Sequence, residues 1–286
     1  MYITKRDGSK VKFVASKVQT RVEKAAKGLN VEPHKVLMAV YGSISDNMTT
    51  SEIDNLISEI AGGFVTKHYD YSLLAAEILD GRLRKETKEF FENAIMLEEQ
   101  GIITKTQLQK YEKFSGLIKQ ILTEDNKKLD YLGIKTFLHT YALRDKNGVV
   151  CETPDYLKIR LAVFFSETEE EVRENMDALN SGYSPPTPTL CNAGTTEGQL
   201  ASCQLHYLKG DDTDSIMESF KDLANSSRNK AGIGFAAYDL RAKGSKSSKG
   251  WGAAGTVQGM KILNEIMRFF DQGGKRPGST AWYLTP

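Results

Sequence analysis

The 286-residue chain is poor in several things, and each scarcity narrows its chemistry. Net charge is almost absent: 38 Lys and Arg against 37 Asp and Glu leave +1, so no global field favours nucleic acid or an anionic membrane surface. No apolar run reaches the roughly 18 residues that a membrane-crossing helix needs. The N-terminus, MYITKRDGSK, lacks the apolar core of a secretory signal. Cysteine occurs three times, as Cys151, Cys191 and Cys203, with no C-x-x-C pair. An odd count without that pairing argues against a zinc ribbon and against a disulfide framework. A reducing cytoplasm is the expected compartment, where a disulfide is transient and catalytic. The histidines His34, His68, His139 and His206 are scattered without metal-ligand spacing, and no metal site is predicted.

What remains is the composition of a globular protein, 40% hydrophobic and 26% charged, long enough for one large domain or two ordinary ones. Residues 1–95 read as a unit. YITKRDGSKVKF predicts a short hairpin turning at Asp7-Gly8. A helix follows from Ser16 with Val18, Val22, Ala25, Ala26 and Leu29 on one face. A second begins near Pro33 and carries Val36, Leu37, Val40 and Ile44. The third opens with the capping box Thr49-x-x-Glu52, and the fourth presents Leu74, Ile78, Leu79 and Leu83. Residues 96–182 continue as amphipathic helices, the last of them stopped by Gly182.

The texture changes there. GYSPPTPTLCNAGTTEGQ is too rich in Pro, Thr and Gly for a long helix. QLASCQLHY reads as a strand, followed by the acidic turn KGDDTDS and a helix over about Ser215–Ser227. NKAGIGF reads as a glycine-rich segment offering backbone amides and one cation to a phosphate or ribose. A helix with Met260, Leu263, Ile266 and Phe270 precedes DQGGKRPGST and a last strand at STAWYL. Single features stay ambiguous at this level. DDTDS serves equally as N-capping. Cys203 is either a small packed thiol or a reagent, since reactivity and not packing decides its role.

The order of these pieces resembles the large, catalytic subunit of aerobic (class I) ribonucleotide reductase. TKRDGSKVKF, TTSEID and LLAAEILDGRLRK are similar to that family's ATP-cone. The resemblance assigns contacts with ATP or dATP to Lys5, to residues 11–17 from Val11 to Lys17, to Thr50 and to Lys85. Val11 replaces a residue that is often acidic, and Asp54 stands where the family often has a histidine linked to dATP inhibition. YALRDKNG and ETPDYLKIRLAVFF are similar to the segment that precedes the catalytic barrel. PPTPTLCNAGT and LASC are similar to the substrate region, which implies that Thr187 and Ser202 hold the substrate diphosphate and that Gly232 lies at the substrate. Cys203 matches one of two cysteines that reduce the ribose 2′ position and become a disulfide at each turnover. Asp211, Asp212, Thr213, Lys230, Arg241 and Lys249 fall in the specificity-effector region. Residues 271–280 match a specificity loop in which Arg276 reaches the substrate base.

The resemblance implies a fold in three parts. Residues 1–95 would be the ATP-cone, a short hairpin plus a four-helix bundle. Residues 96–182 would be a helical domain. Residues 183–286 would be the first strands and helices of a ten-stranded α/β barrel that is incomplete in this chain, with about two strands present. The second redox cysteine, the radical cysteine and the shuttle cysteines lie downstream of the matched region, and Cys151 and Cys191 are expected to be structural. The family therefore implies ATP/dATP and deoxynucleoside triphosphate effectors with Mg, and thioredoxin or glutaredoxin as reductant. It implies a separate small subunit with a di-iron tyrosyl radical, and a homo-oligomer of the large subunit. A chain carrying the rest of the barrel is the further partner expected, as in a naturally split, phage-type subunit, with no nucleic acid or membrane partner. The competing reading is a nucleotide-sensing regulatory fragment without catalysis. A cone-bearing repressor lacks its zinc-ribbon cysteines here, and a cobalamin-dependent relative differs mostly downstream.

Overall fold

The computed structural model describes residues 1–124, 128–228, 231–246, 250, 252–270 and 278–285. Two compact units divide the chain, Met1–Tyr183 and Ser184–Pro286.

The first unit opens with the antiparallel hairpin β1 (Tyr2–Thr4) and β2 (Lys10–Lys12). Its turn is fixed locally: Asp7 Oδ1 accepts from Ser9 N at 2.9 Å, and Gly8 takes φ +81°, which a side chain would resist. Four helices follow, α1 (Ala15–Ala25), α2 (Pro33–Ser43), α3 (Thr50–Gly63) and α4 (Asp70–Glu86). Proline at the start of α2 and the Thr49/Glu52 capping box of α3 explain where those helices begin. The periodic apolar faces meet as predicted: Val22, Val36, Val40, Ile57, Leu74 and Ile78 form one core.

Six further helices complete this unit in two stages. The first stage is α5 (Phe90–Glu99), α6 (Lys105–Lys113), α7 (Ser115–Ile121) and α8 (Tyr131–Thr136), which runs into a π-helical turn at Phe137–Tyr141. After it come α9 (Pro154–Phe164) and α10 (Glu169–Ser181), the latter ended by Gly182 at φ 102°. Their shared core is built on Phe90, Leu97, Tyr111, Ile118, Ile159 and Val172. Inside it, Arg160 and Glu152 pair at 2.7 and 3.2 Å while both are almost fully buried, and Glu152 Oε2 accepts from Leu143 N at 3.1 Å. This pair pins the segment before α9 to the helix itself. Helix α8 packs back on α4 through Ile134, Ala76 and Leu79. The Tyr131 ring fills the space that a side chain on Gly62 would need.

The second unit runs α11 (Thr187–Asn192), β3 (Cys203–Tyr207), α12 (Thr213–Arg228), β4 (Gly232–Ala236), α13 (Thr256–Phe269) and β5 (Thr280–Tyr283). The strands form a parallel sheet in the order β3-β4-β5, with Cys203 opposite Gly232 and Ile233 opposite Thr280. Helices α12 and α13 cover one face through Phe220, Leu223, Ile233, Phe235, Leu263 and Met267. The other face carries Cys203, Leu205 and Tyr207 in solvent, Leu205 being 80% and Tyr207 69% exposed. Among the described residues the sheet does not close. The chain thus combines a helix-rich N-terminal region with the start of an α/β barrel.

Two expectations are corrected here. Two strands were expected and three are present, because the glycine-rich segment NKAGIGF contributes the central strand β4. Its glycines signal close approach rather than a turn: a Cβ on Gly234 would lie 2.5 Å from Leu205 and 2.8 Å from Tyr283. The strand of QLASCQLHY also begins only at Cys203, and residues 199–202 lie outside the ladder.

Candidate functional site

The first candidate site is a cavity of about 210 Å³ in the hairpin–helix bundle, lined by Lys5, Val11, Lys17, Thr50 and Lys85. The hairpin supplies Lys5 and Val11, α1 supplies Lys17, α3 begins at Thr50, and Lys85 closes the ring from the last turn of α4. All five residues assigned from the resemblance to ATP or dATP therefore share one wall. The same cavity holds an ion cluster of Asp54, at the position the resemblance links to dATP inhibition, with Arg6 and Arg21, which no motif singles out. Asp54, only 5% exposed, lies 2.6 Å from Arg21 Nε and 3.2 Å from the Arg6 guanidinium. Arg21 follows Lys17 by four residues on the helix, a spacing that puts both on one face and that was readable in advance.

Electrostatics here favour an anion. Burial pushes the Asp54 carboxyl above the usual carboxylate range, against the pull of Arg21, Arg6 and Lys85. Burial, reinforced by Arg21, lowers the Lys85 ammonium from its ordinary value. Thr50 Oγ1 is buried without a hydrogen-bond partner, beside the positive end of a 14-residue helix. A polyphosphate fits this donor set: three ammonium groups, an orphaned hydroxyl and a helix N-terminus converge on one cavity.

The second candidate site is a cavity of about 320 Å³ between α12, α13 and the sheet. Asp211, Thr213 and Arg241 line it together with Phe220, Leu240, Gln258 and Trp282, of which the last four were not predicted. Arg241 Nε pairs with the Asp211 carboxylate, and its other nitrogen donates to Asp211 O at 3.0 Å. Asp212 does not line the cavity. Its carboxylate caps α12 instead, accepting from Ser215 N at 3.0 Å and from Ser215 Oγ at 2.6 Å. Those bonds hold the Asp212 carboxyl below its usual range. Lys230, Lys249 and Arg276 lie outside the described residues, as do residues 271–277 of the proposed specificity loop.

The third candidate site is the junction of α11 and β3. Thr187 is the first residue of α11, and Ser202 and Cys203 lead into β3. Gly232 N donates to Ser202 O at 2.7 Å, so Ser202, Cys203 and Gly232 are brought together at the head of the sheet. Cys203 is the exposed cysteine, whereas Cys151 and Cys191 are buried. The Cys203 thiol lies on the uncovered face of β3. Burial pushes the Cys151 thiol up to about 12, which keeps it protonated and inert.

A larger cavity, about 370 Å³, lies between α1, α4, α8 and the start of α9, and several of its charged side chains pair with one another. Arg84 bridges Asp80 and Asp155 at 2.6 and 2.5 Å, and Lys128 pairs with Glu77 at 2.9 Å. Among the described residues no group of three His, Cys, Asp or Glu side chains could hold a metal ion, and no helix is long and apolar enough to cross a membrane.

Three family models match consecutive stretches of the chain. The ATP cone domain covers residues 1–86, the all-alpha domain of ribonucleotide reductase covers 127–198, and its barrel domain covers 201–286. Among curated relatives, the ribonucleoside-diphosphate reductase large subunit of Monkeypox virus is 33% identical over 304 aligned positions. The large chain of Schizosaccharomyces pombe is 33% identical over 305, and the large subunit of Danio rerio 32% over 306. Each alignment covers 100% of this chain but only 37–39% of the relative. Cone, all-alpha domain and barrel start occur here in one order along one chain, and that order identifies it as a member of the ribonucleotide reductase large-subunit family, matching the family's N-terminal part.

Proposed function

We propose that this chain supplies the allosteric sites, part of the substrate site and one redox thiol of a ribonucleotide reductase that converts ribonucleoside diphosphates to deoxyribonucleoside diphosphates. The observation that carries the reading is the exposed Cys203 beside Ser202 and Gly232, at the head of a sheet whose open face can receive a substrate. Thr187 and Ser202 would hold the diphosphate. Cys203 and a second thiol elsewhere in the barrel would each give up a hydrogen to the substrate. The 2′-hydroxyl leaves as water and the two sulfurs join as a disulfide, which thioredoxin or glutaredoxin then reduces. Cys203 is in this reading half of a pair.

Regulation would come from the two cavities. ATP or dATP, with Mg, would bind at Lys5, Lys17, Thr50 and Lys85 in the unit spanning residues 1–95. A deoxynucleoside triphosphate would bind beside Asp211, Thr213 and Arg241, with Lys230, Lys249 and Arg276 as further contacts, and would reshape the 271–280 loop. Asp212 enters this site only through its cap on α12. Residues 96–182 would connect the cone to the barrel that begins at 183. Val257, Ile262 and Phe269 on α13 and Met217 on α12 are exposed and apolar, which supports self-association of the large subunit through these helices. A small subunit would supply the radical, of the di-iron tyrosyl type, and a cytoplasmic setting fits the thiol chemistry. A pure nucleotide sensor has no use for an exposed thiol beside Ser202, which favours the enzyme over the regulatory fragment.

The test is reconstitution with polypeptide carrying the remaining barrel and with the radical subunit, followed by reduction of cytidine diphosphate. Cys203→Ala is expected to bind nucleotide but not to sustain repeated turnover. Wild-type turnover by that variant, or by the 286-residue chain alone, would overturn the reading.

A further inference from the structure

The chain just before Cys203 raises a mechanical question. Residues 199–202 precede the β3–β4 ladder, and the backbone bond they make to β4 is Gly232 N to Ser202 O. A thiol that must meet a substrate atom needs its backbone held on both sides. On the upstream side two buried side chains of α11 do this. Thr189 Oγ1 donates to Leu200 O at 3.0 Å, and Asn192 Nδ2 donates to Gln199 O at 2.7 Å. Asn192 is 2% exposed and Thr189 7%.

Neither residue is placed for the good of its own helix. A helical threonine usually bonds back to the carbonyl four residues earlier, and asparagine is a weak helix former that favours caps and turns. Here both reach across a loop to consecutive carbonyls. Asn192 is itself fixed, because its carbonyl accepts from Thr195 N at 3.0 Å and Thr195 Oγ1 at 2.9 Å. Thr187, at the other end of the same short helix, thereby shares one hydrogen-bonded frame with Ser202 and Cys203.

We propose that Thr189 and Asn192 are positioning residues for the redox step: they hold the Gln199–Leu200 carbonyls and so set the height of Cys203 Sγ relative to the Thr187 and Ser202 hydroxyls. The role in turnover rests on the function proposed above, whereas the clamp itself does not. Thr189→Val keeps the shape and removes the donor, Thr189→Ser restores it, and Asn192→Ala removes the other bond without adding charge.

Hydrogen–deuterium exchange of the full chain reads the clamp directly. Thr189→Val and Asn192→Ala are expected to speed exchange over residues 200–203 by about five- to tenfold, the scale of one lost buried hydrogen bond. Thr189→Ser should return it to the wild-type rate. N-ethylmaleimide labelling of Cys203 should change in the same variants, since the other two cysteines are buried. In the reconstituted enzyme kcat should fall about tenfold while KM for the diphosphate stays within about twofold, and Thr189→Ser should recover kcat. Unchanged exchange in both variants overturns the clamp. Faster exchange with unchanged kcat, or a risen KM at constant kcat, overturns the positioning role. A wild-type complex without turnover would sink the proposed function, while exchange and labelling still decide the clamp. If Thr189→Val fails to fold, Asn192→Ala carries the same comparison.

Discussion

At the scale of single residues, thiol chemistry divides the three cysteines. Cys203 is exposed, and Cys151 is buried with its thiol pushed up to about 12 by burial, then by Glu152 and Asp145. A thiol whose pKa rises on folding contributes stability that is complete below its ordinary value of 9.0 and is lost as the pH climbs through about 12. At pH 8 Cys151 is therefore protonated and closed to reagents. One fast maleimide addition per chain is expected by mass spectrometry, abolished by Cys203→Ser and untouched by Cys151→Ser. Burial gives Arg160 and Glu152 a different weight. Removing one partner leaves a charge in the core, so Glu152→Gln or Arg160→Met should cost about 3–5 kcal/mol in urea unfolding, far above the ~0–1 kcal/mol of an exposed pair. A loss under 1 kcal/mol would mean that water reaches the pair.

Among the elements, α8 is the one whose place rests on a glycine. A Cβ on Gly62 would stand 2.4 Å from Tyr131 Cε1, and Tyr131 N donates to Ser72 Oγ at 3.1 Å. Alanine inside a helix ordinarily gains about 1 kcal/mol over glycine. Overpacking costs about 1–3 kcal/mol, so Gly62→Ala should be net destabilising despite its better propensity. In a Tyr131→Ala background the same change should turn neutral or favourable, and a double-mutant cycle by thermal unfolding checks it. The hairpin, the helix starts and the faces of α1–α4 were legible in the sequence, because period, caps and turn residues are local signals. So was the convergence of Lys5, Lys17, Thr50 and Lys85, through a motif order that periodicity could not supply. The pairing of Asp54 with Arg6 and Arg21 was not legible, since local spacing does not show which charges a fold will bury together. Strand β4 was missed because glycines such as Gly232 and Gly234 carry no strand signal until their neighbours are known. Asp212 shows how a carboxylate in a ligand-binding stretch can also be used by its own helix end, since it caps α12 through Ser215.

For the molecule as a whole, the open sheet sets the largest demand. Parallel strands are normally covered on both faces, and a three-stranded sheet with helices on one side leaves the other to water. Leu205 at 80% and Tyr283 at 51% exposed lie over Gly234 with nothing above them among the described residues. Covering such side chains is worth roughly 1.5–3 kcal/mol each, which a complete barrel would supply and this sheet forgoes. The two units should accordingly differ in stability. In the 286-residue chain, amides of α3, α4 and α9 are expected to exchange slowly and those of β3 and β5 quickly. Adding polypeptide with the remaining barrel strands should protect β3 and β5 and leave the helical unit unchanged. Leu205→Asp places a charge on the open face without touching the cores of the first unit. It should abolish that added protection and the co-purification of the two polypeptides while α3 and α4 stay protected. Full association of the Leu205→Asp chain would show that this face is not where the barrel is completed.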